Sequence, residues 1–137
     1  LEEEMANYNV IGEFRYSENH EWVKDLGGNK YRTGVSDYAA KNIGDVTFVE
    51  LPEVESEVDK EGVDCVVETV KSSEDVFNQI GGVVAEVNET LEDNPELVNT
   101  DCYGDGWLYD VKAESATDFN ELMTAEDYEK FLEELDD

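Results

Sequence analysis

The chain has 137 residues, of which 39% are apolar, with seven Tyr, five Phe and two Trp, enough for one domain over residues 1–137 with its own core. Nine Lys plus Arg stand against 37 Asp plus Glu, a formal charge of −28 that repels nucleic-acid phosphates and anionic lipid headgroups and favours basic partners. No apolar run approaches the roughly 18 residues of a membrane span, and the opening residues lack the charged-then-apolar pattern of a secretion signal, so nucleic-acid and membrane roles are set aside.

Residues 1 to 13 are acidic and weakly patterned and read as a loose N-terminal arm. Glu21-Trp22-Val23-Lys24 leads through Gly27-Gly28-Asn29 to Lys30-Tyr31-Arg32-Thr33-Gly34-Val35, the pattern of a β-hairpin. Ser36 or Asp37 caps a short helix through Tyr38 to Ile43, which Gly44 ends. Val46 to Leu51 reads as a strand stopped by Pro52, alternation resumes at Val54, and Glu61-Gly62 marks a turn. Val63 to Val70, Val76-Phe77 and Val83 to Val87 supply further strands, with Gly81-Gly82 between the last two. Short strands and turns every 8 to 12 residues predict a small all-β sandwich or barrel for this part of the chain.

The stretch Leu91 to Asn99 holds Pro95 and reads as a helix-poor excursion, and Trp107 to Val111 as the last strand. From residue 115 to 135 the period becomes helical: Phe119, Leu122, Met123, Tyr128, Phe131, Leu132 and Leu135 form a stripe expected to pack on the β core. Thr124 is placed to cap a final helix, with Asp127 at the capping-box distance.

Few residues offer chemistry of their own. His20 is the single histidine and no nucleophile motif accompanies it, so it reads as structural. Cys65 and Cys102 lie far apart without a CxxC spacing and read as separate buried thiols of a reducing compartment, with one disulfide as the alternative. Lys71-Ser72 lacks the glycines of a phosphate-binding loop, and Asp101 to Gly106 lacks the ligand spacing of a calcium loop, so no metal is expected.

Lys71 stands apart. The next basic residues are Lys60 and Lys112, and apolar strands flank a polar run, Ser72-Ser73-Glu74-Asp75, which places the lysine at an exposed hairpin turn. It is either an ordinary solvated turn residue or an amine that something uses. A tethered cofactor needs this setting, a protruding primary amine on a stiff hairpin.

The segment Val67-Glu68-Thr69-Val70-Lys71-Ser72-Ser73-Glu74-Asp75-Val76 resembles the lipoylation segment, close to VESVKAxSDV, of the glycine cleavage system H-protein family. Further similarities are His20-Glu21-Trp22, Gly34 to Ala39, Gly44 to Pro52, Glu86 to Glu89, Leu91 to Asn99 and Tyr103-Gly104-Asp105-Gly106-Trp107, in family order from about Tyr16 to Leu132. The resemblance implies a barrel-sandwich hybrid, lipoyl-domain-like, with a short internal helix and C-terminal helices. It implies lipoic acid in amide linkage to Lys71, and a non-catalytic carrier of aminomethyl groups. Its partners would be a pyridoxal-phosphate glycine decarboxylase (P protein), a tetrahydrofolate-dependent aminomethyltransferase (T protein), dihydrolipoyl dehydrogenase (L protein) and a lipoylating enzyme. Glu68, Val70 and Ser72 would carry recognition by the lipoylating enzyme. Glu21 and Asp75 match the family's cleft that shelters the loaded arm, with Asn19 where a small hydroxyl residue is usual.

The chain departs from the family at Phe77-Asn78-Gln79-Ile80-Gly81-Gly82, where a Tyr-Ala-Pro-Val-Ser-Gly-like stretch is common, and at Cys102, which replaces a proline. The expected setting is the organelle matrix of a eukaryote or the cytoplasm of a prokaryote. Two other readings stand beside the carrier: a lipoyl relay or scaffold serving other lipoate-dependent metabolism, and an enzyme working through His20 or Cys65.

Overall fold

The described residues form ten strands and a few short helices, and the longer strands follow the alternation and turn chemistry above. The computed structural model describes residues 8–136. In chain order the elements are β1 (Arg15–Tyr16), β2 (Glu21–Gly27), β3 (Lys30–Val35), α1 (Asp37–Asn42), β4 (Val46–Glu50), β5 (Glu57–Val58), β6 (Val63–Thr69), β7 (Ser73–Phe77) and β8 (Gly82–Val87). A 3₁₀ turn (Glu89–Glu92), α2 (Leu97–Thr100), β9 (Tyr109–Lys112), α3 (Thr117–Asn120), β10 (Met123–Thr124) and α4 (Ala125–Asp136) follow.

The strands form a seven-stranded sheet in the order β10-β1-β2-β3-β9-β8-β5 and a three-stranded sheet in the order β4-β6-β7, every pairing antiparallel. This is the expected mainly-β hybrid of barrel and sandwich with an internal helix and C-terminal helices, and its sheets do not close on one another. The β2–β3 hairpin turns through Gly28 and Asn29, with φ of 62° and 63°. Both central residues of a type I′ hairpin loop need such left-handed angles, which glycine and asparagine tolerate. Helix α1 starts as its cap predicts: the Ser36 hydroxyl accepts from the Ala39 N–H at 3.3 Å.

Two apolar clusters hold the elements. The larger gathers Val23, Tyr31, Val49, Cys65, Val67, Val76, Val84 and Tyr109 from both sheets. The smaller is aromatic: Phe14, Tyr16 and Trp22 receive Tyr128 and Leu132 of α4, with Tyr16 and Tyr128 stacked at 4.3 Å. The helical stripe therefore packs on the β core through Tyr128 and Leu132, whereas Leu135 stays 46% exposed.

Several expectations are corrected. Leu91 to Asn99 is not helix-poor: the 3₁₀ turn and α2 occupy most of it, and Leu91 and Val98 are buried. The strand expected from Trp107 begins at Tyr109 and is not the last, because Met123–Thr124 pairs with β1. Met123 thus belongs to a strand rather than to the helical stripe. Of the arm expected to be loose, residues 1–7 lie outside the described residues. Residues 8–13 are tied down: Asn9 donates to Asp37 Oδ2 at 2.8 Å and accepts from the Tyr103 hydroxyl at 2.6 Å, while Tyr8, Val10 and Ile11 pack on the aromatic cluster.

Candidate functional site

Strands β6 and β7 form a hairpin with Glu68 opposite Ser73, Val67 opposite Glu74, Val66 opposite Asp75 and Cys65 opposite Val76. Cys65, Val67 and Val76 point into the core, so the base of the hairpin is anchored by burial while its tip stands in solvent. Thr69 locks the tip. Its Oγ1 accepts from the N–H groups of Lys71 at 3.1 Å and Ser72 at 3.0 Å, and its own N–H donates to the Ser72 carbonyl at 2.8 Å. The Val70 N–H reaches the Asp45 carbonyl at 3.0 Å, which ties the tip to the segment leading into β4.

Lys71 is exposed at this fixed turn, and Val70 beside it is 68% exposed. The Lys71 stem runs over Gly44, where an added Cβ would lie 3.3 to 3.5 Å from Cε, Cδ and Cγ. Gly44 also has φ of +89°, so its backbone and the lysine stem both suit glycine. Among the described residues Lys71 Nζ has neither an ion-pair nor a hydrogen-bond partner. A primary amine held this way is available for acylation. Of the other residues expected around it, Glu68 is half-buried on β6, and the Ser72 hydroxyl is occupied by Glu74 Oε2 at 2.5 Å.

Glu21 lies beyond the other end of β7. It opens β2, is 2% exposed, and receives three donors: the Ser17 hydroxyl and Gln79 Nε2 (2.9 Å) at Oε1, and the Phe77 N–H (3.0 Å) at Oε2. Burial pushes its carboxyl above the ordinary glutamate value, and the donors from Ser17, Phe77 and Gln79 pull against that shift. The donors line a groove of about 470 Å³ together with Asn19, Lys60 and Met123.

The structure thus brings Glu21 to the Phe77 end of β7 and Lys71 to the other, and the six residues from Lys71 to Phe77 span roughly 20 Å at about 3.3 Å per extended residue. Asn19 lines the groove, but the hydroxyl beside Glu21 is that of Ser17, which also accepts from the Asn19 N–H at 3.2 Å. Asp75 is exposed on β7 and neither lines the groove nor touches Glu21. Sequence reasoning missed Ser17 and the bond from Gln79; the signal for the latter was a donor-bearing side chain at a place where proline is common.

The remaining candidates are engaged elsewhere. The His20 ring stacks on Tyr38 at 4.4 Å with Nδ1 2.8 Å from the Tyr128 hydroxyl, and burial lowers its pKa. Cys65 and Cys102 are both free and buried. Burial drives the Cys65 thiol far up, and burial followed by the charge of Asp37 pushes Cys102 up to about 12. Neither is a ready thiolate at neutral pH. Among the described residues no group of three His, Cys, Asp or Glu side chains is placed to hold a metal, and no helix is long and apolar enough to cross a membrane.

Comparison with known proteins bears on the whole arrangement. Residues 14–135 match the family described as glycine cleavage H-protein. A glycine cleavage system H protein of Alteromonas mediterranea is 46% identical over 126 residues, spanning 92% of this chain and 98% of that relative. One from Halothermothrix orenii is 44% identical over 128 residues, spanning 93% and 99%. The crystal structure of a glycine cleavage system H protein from Mycobacterium marinum superposes with a TM-score of 0.83 at 32% identity, over 90% of this chain and 99% of that one. Matched in fold and across nearly its full length, the chain belongs to the glycine cleavage H-protein family.

Proposed function

We propose that the protein is a lipoylated carrier, with Lys71 Nζ as the attachment point. The observation that carries this reading is an exposed amine without a partner among the described residues, on a turn whose backbone is held by Thr69 and Asp45. Lipoic acid in amide linkage there supplies a dithiolane that takes up and returns an aminomethyl group and exchanges electrons. The protein's own residues do the rest. The clamped hairpin presents the amine, Gly44 leaves room for the lysine stem, and acylation removes a positive charge that no carboxylate among the described residues pairs with. Glu68, Val70 and Ser72 surround Lys71 and form the patch that a lipoylating enzyme reads.

Glu21 serves as the acceptor for the protonated amine of the cargo, a charge-assisted hydrogen bond formed where water is scarce. Asn19 lines its groove, and Asp75 lies on β7 between the attachment point and that groove. The partners in this reading are the P, T and L proteins, and the protein itself performs no catalysis. A net charge of −28 suits docking on basic surfaces.

The test is a reconstituted loading assay. Lipoylated protein, the P protein and labelled glycine should yield label on the carrier, and Lys71→Arg should yield none. Lipoylation without glycine-dependent label would reject the aminomethyl carrier in favour of a relay for other lipoate-dependent metabolism.

A further inference from the structure

Glu21 is covered by the residues that line the groove. Ser17, Phe77 and Gln79 form part of the wall and all donate to the carboxylate, which does not itself face the groove. A carboxylate has about four lone-pair sites. Three are taken: Ser17 and Gln79 share Oε1, and the Phe77 N–H holds Oε2.

The three donors differ in how readily they can leave. The Phe77 N–H belongs to the backbone of β7. The Ser17 hydroxyl is pinned, because its oxygen also accepts from the N–H groups of Asn19 at 3.2 Å and Glu21 at 3.1 Å. The Gln79 amide sits on a rotatable side chain and already has a second acceptor, the Phe77 carbonyl at 3.2 Å. It can release Oε1 and keep a partner.

We propose that Gln79 is a placeholder for the cargo: its side-chain amide occupies Glu21 Oε1 while the arm is elsewhere, and yields that oxygen to a protonated primary amine when the loaded arm enters the groove. The proposal rests on the reading above that Glu21 receives the arm. Hydrogen bonds from a charged donor are roughly twice as strong as neutral ones. The exchange therefore runs forward for an ammonium group and not for a neutral dithiol or dithiolane. No lysine or arginine among the described residues pairs with Glu21. Lys60, in the groove wall, is held by Glu121 at 2.6 Å and Asp118 at 3.8 Å. The acids of the wall, Glu18, Glu61 and Glu121, add a field that favours a cation. In the unloaded protein the placeholder keeps a buried carboxylate satisfied.

The test uses the lipoylated full chain in three states: oxidised, reduced and aminomethyl-loaded. The NMR resonances of the Gln79 side-chain amide should move on loading and stay in place on reduction. Loaded protein is then left to lose its cargo at neutral pH. Gln79→Met, which removes the competing donor, should slow that loss about three- to tenfold, the range of one neutral hydrogen bond. Glu21→Gln should speed it. Gln79→Pro, carrying the residue common there in the family, removes the same amide and serves where Gln79→Met does not fold. Amide resonances that move equally on reduction and loading overturn the placeholder. So does unchanged or faster loss in both Gln79 variants, provided Glu21→Gln is faster than wild type; Glu21 then remains the receptor. Unchanged loss in Glu21→Gln overturns the receptor reading along with the placeholder.

Discussion

Lys71 and Glu21 sit at opposite ends of one strand and are built on opposite plans. The lysine is exposed and its amine has no partner among the described residues, while the backbone beneath it is fastened by the Thr69 hydroxyl and the Asp45 carbonyl. The glutamate is buried, and three donors are aimed at its side chain. An attachment point needs a rigid base and a mobile end. A receptor for a cation needs a fixed charge in a dry site, where an electrostatic contact is stronger than in water. The difference teaches that the fold spends its hydrogen bonds on the main chain where motion is wanted, and on the side chain where it is not.

The largest effect should come from Lys71→Arg. Guanidinium stays protonated and is not acylated, so lipoylation should vanish entirely while the midpoint of thermal unfolding is unchanged. Glu21→Leu tests the other pole. It strands three donors in a buried site and should cost about 2–4 kcal/mol in denaturant unfolding. If both variants unfolded like wild type, the contrast between the two sites would be gone.

Acidity sharpens the comparison. The Glu21 carboxyl is raised in the folded state above its ordinary 4.5, so the folded protein holds that proton longer than the unfolded chain does. The stability this contributes is present below pH 4.5 and is lost as pH rises through the folded value. The stability difference between wild type and Glu21→Gln should therefore drift against wild type as pH rises from 4.5, a slope that unfolding curves at several pH values would show. Thr69→Val should have the smallest effect, about 1 kcal/mol, because its bonds are exposed; slower lipoylation should accompany it as the turn loosens. Docking to partner enzymes should also weaken as salt rises from dilute to physiological strength, and salt-independent affinity would contradict the electrostatic account.

Much of this was legible from the residues. Period-two alternation located β2, β3, β4, β6 and β8, and Gly28-Asn29 marked the hairpin because few other pairs accept two left-handed angles. Lys71 was found by its isolation among acids and by the family resemblance together. What escaped was either too short or too distant. Strand β10 has two residues, below any periodic signal, and was absorbed into the helical stripe. The helical turns around Pro95 are a single turn each, too brief to show a period. The Gln79–Glu21 bond joins residues 58 apart, and only the packing of β2 against the end of β7 brings them together. Asp75, four residues after Lys71 in the motif, does not line the groove; it stands exposed on β7 opposite Val66.

Tryptic mapping after treatment with a lipoylating enzyme tests the central claim most directly. Trypsin cuts after Lys60, Lys71 and Lys112, and acylation of Lys71 blocks the middle cut. An uncut fragment spanning residues 61–112 and bearing one lipoyl group is the expected product. Cleavage after Lys71, with the lipoyl group on Lys60 or Lys112 or on no lysine at all, would contradict the account.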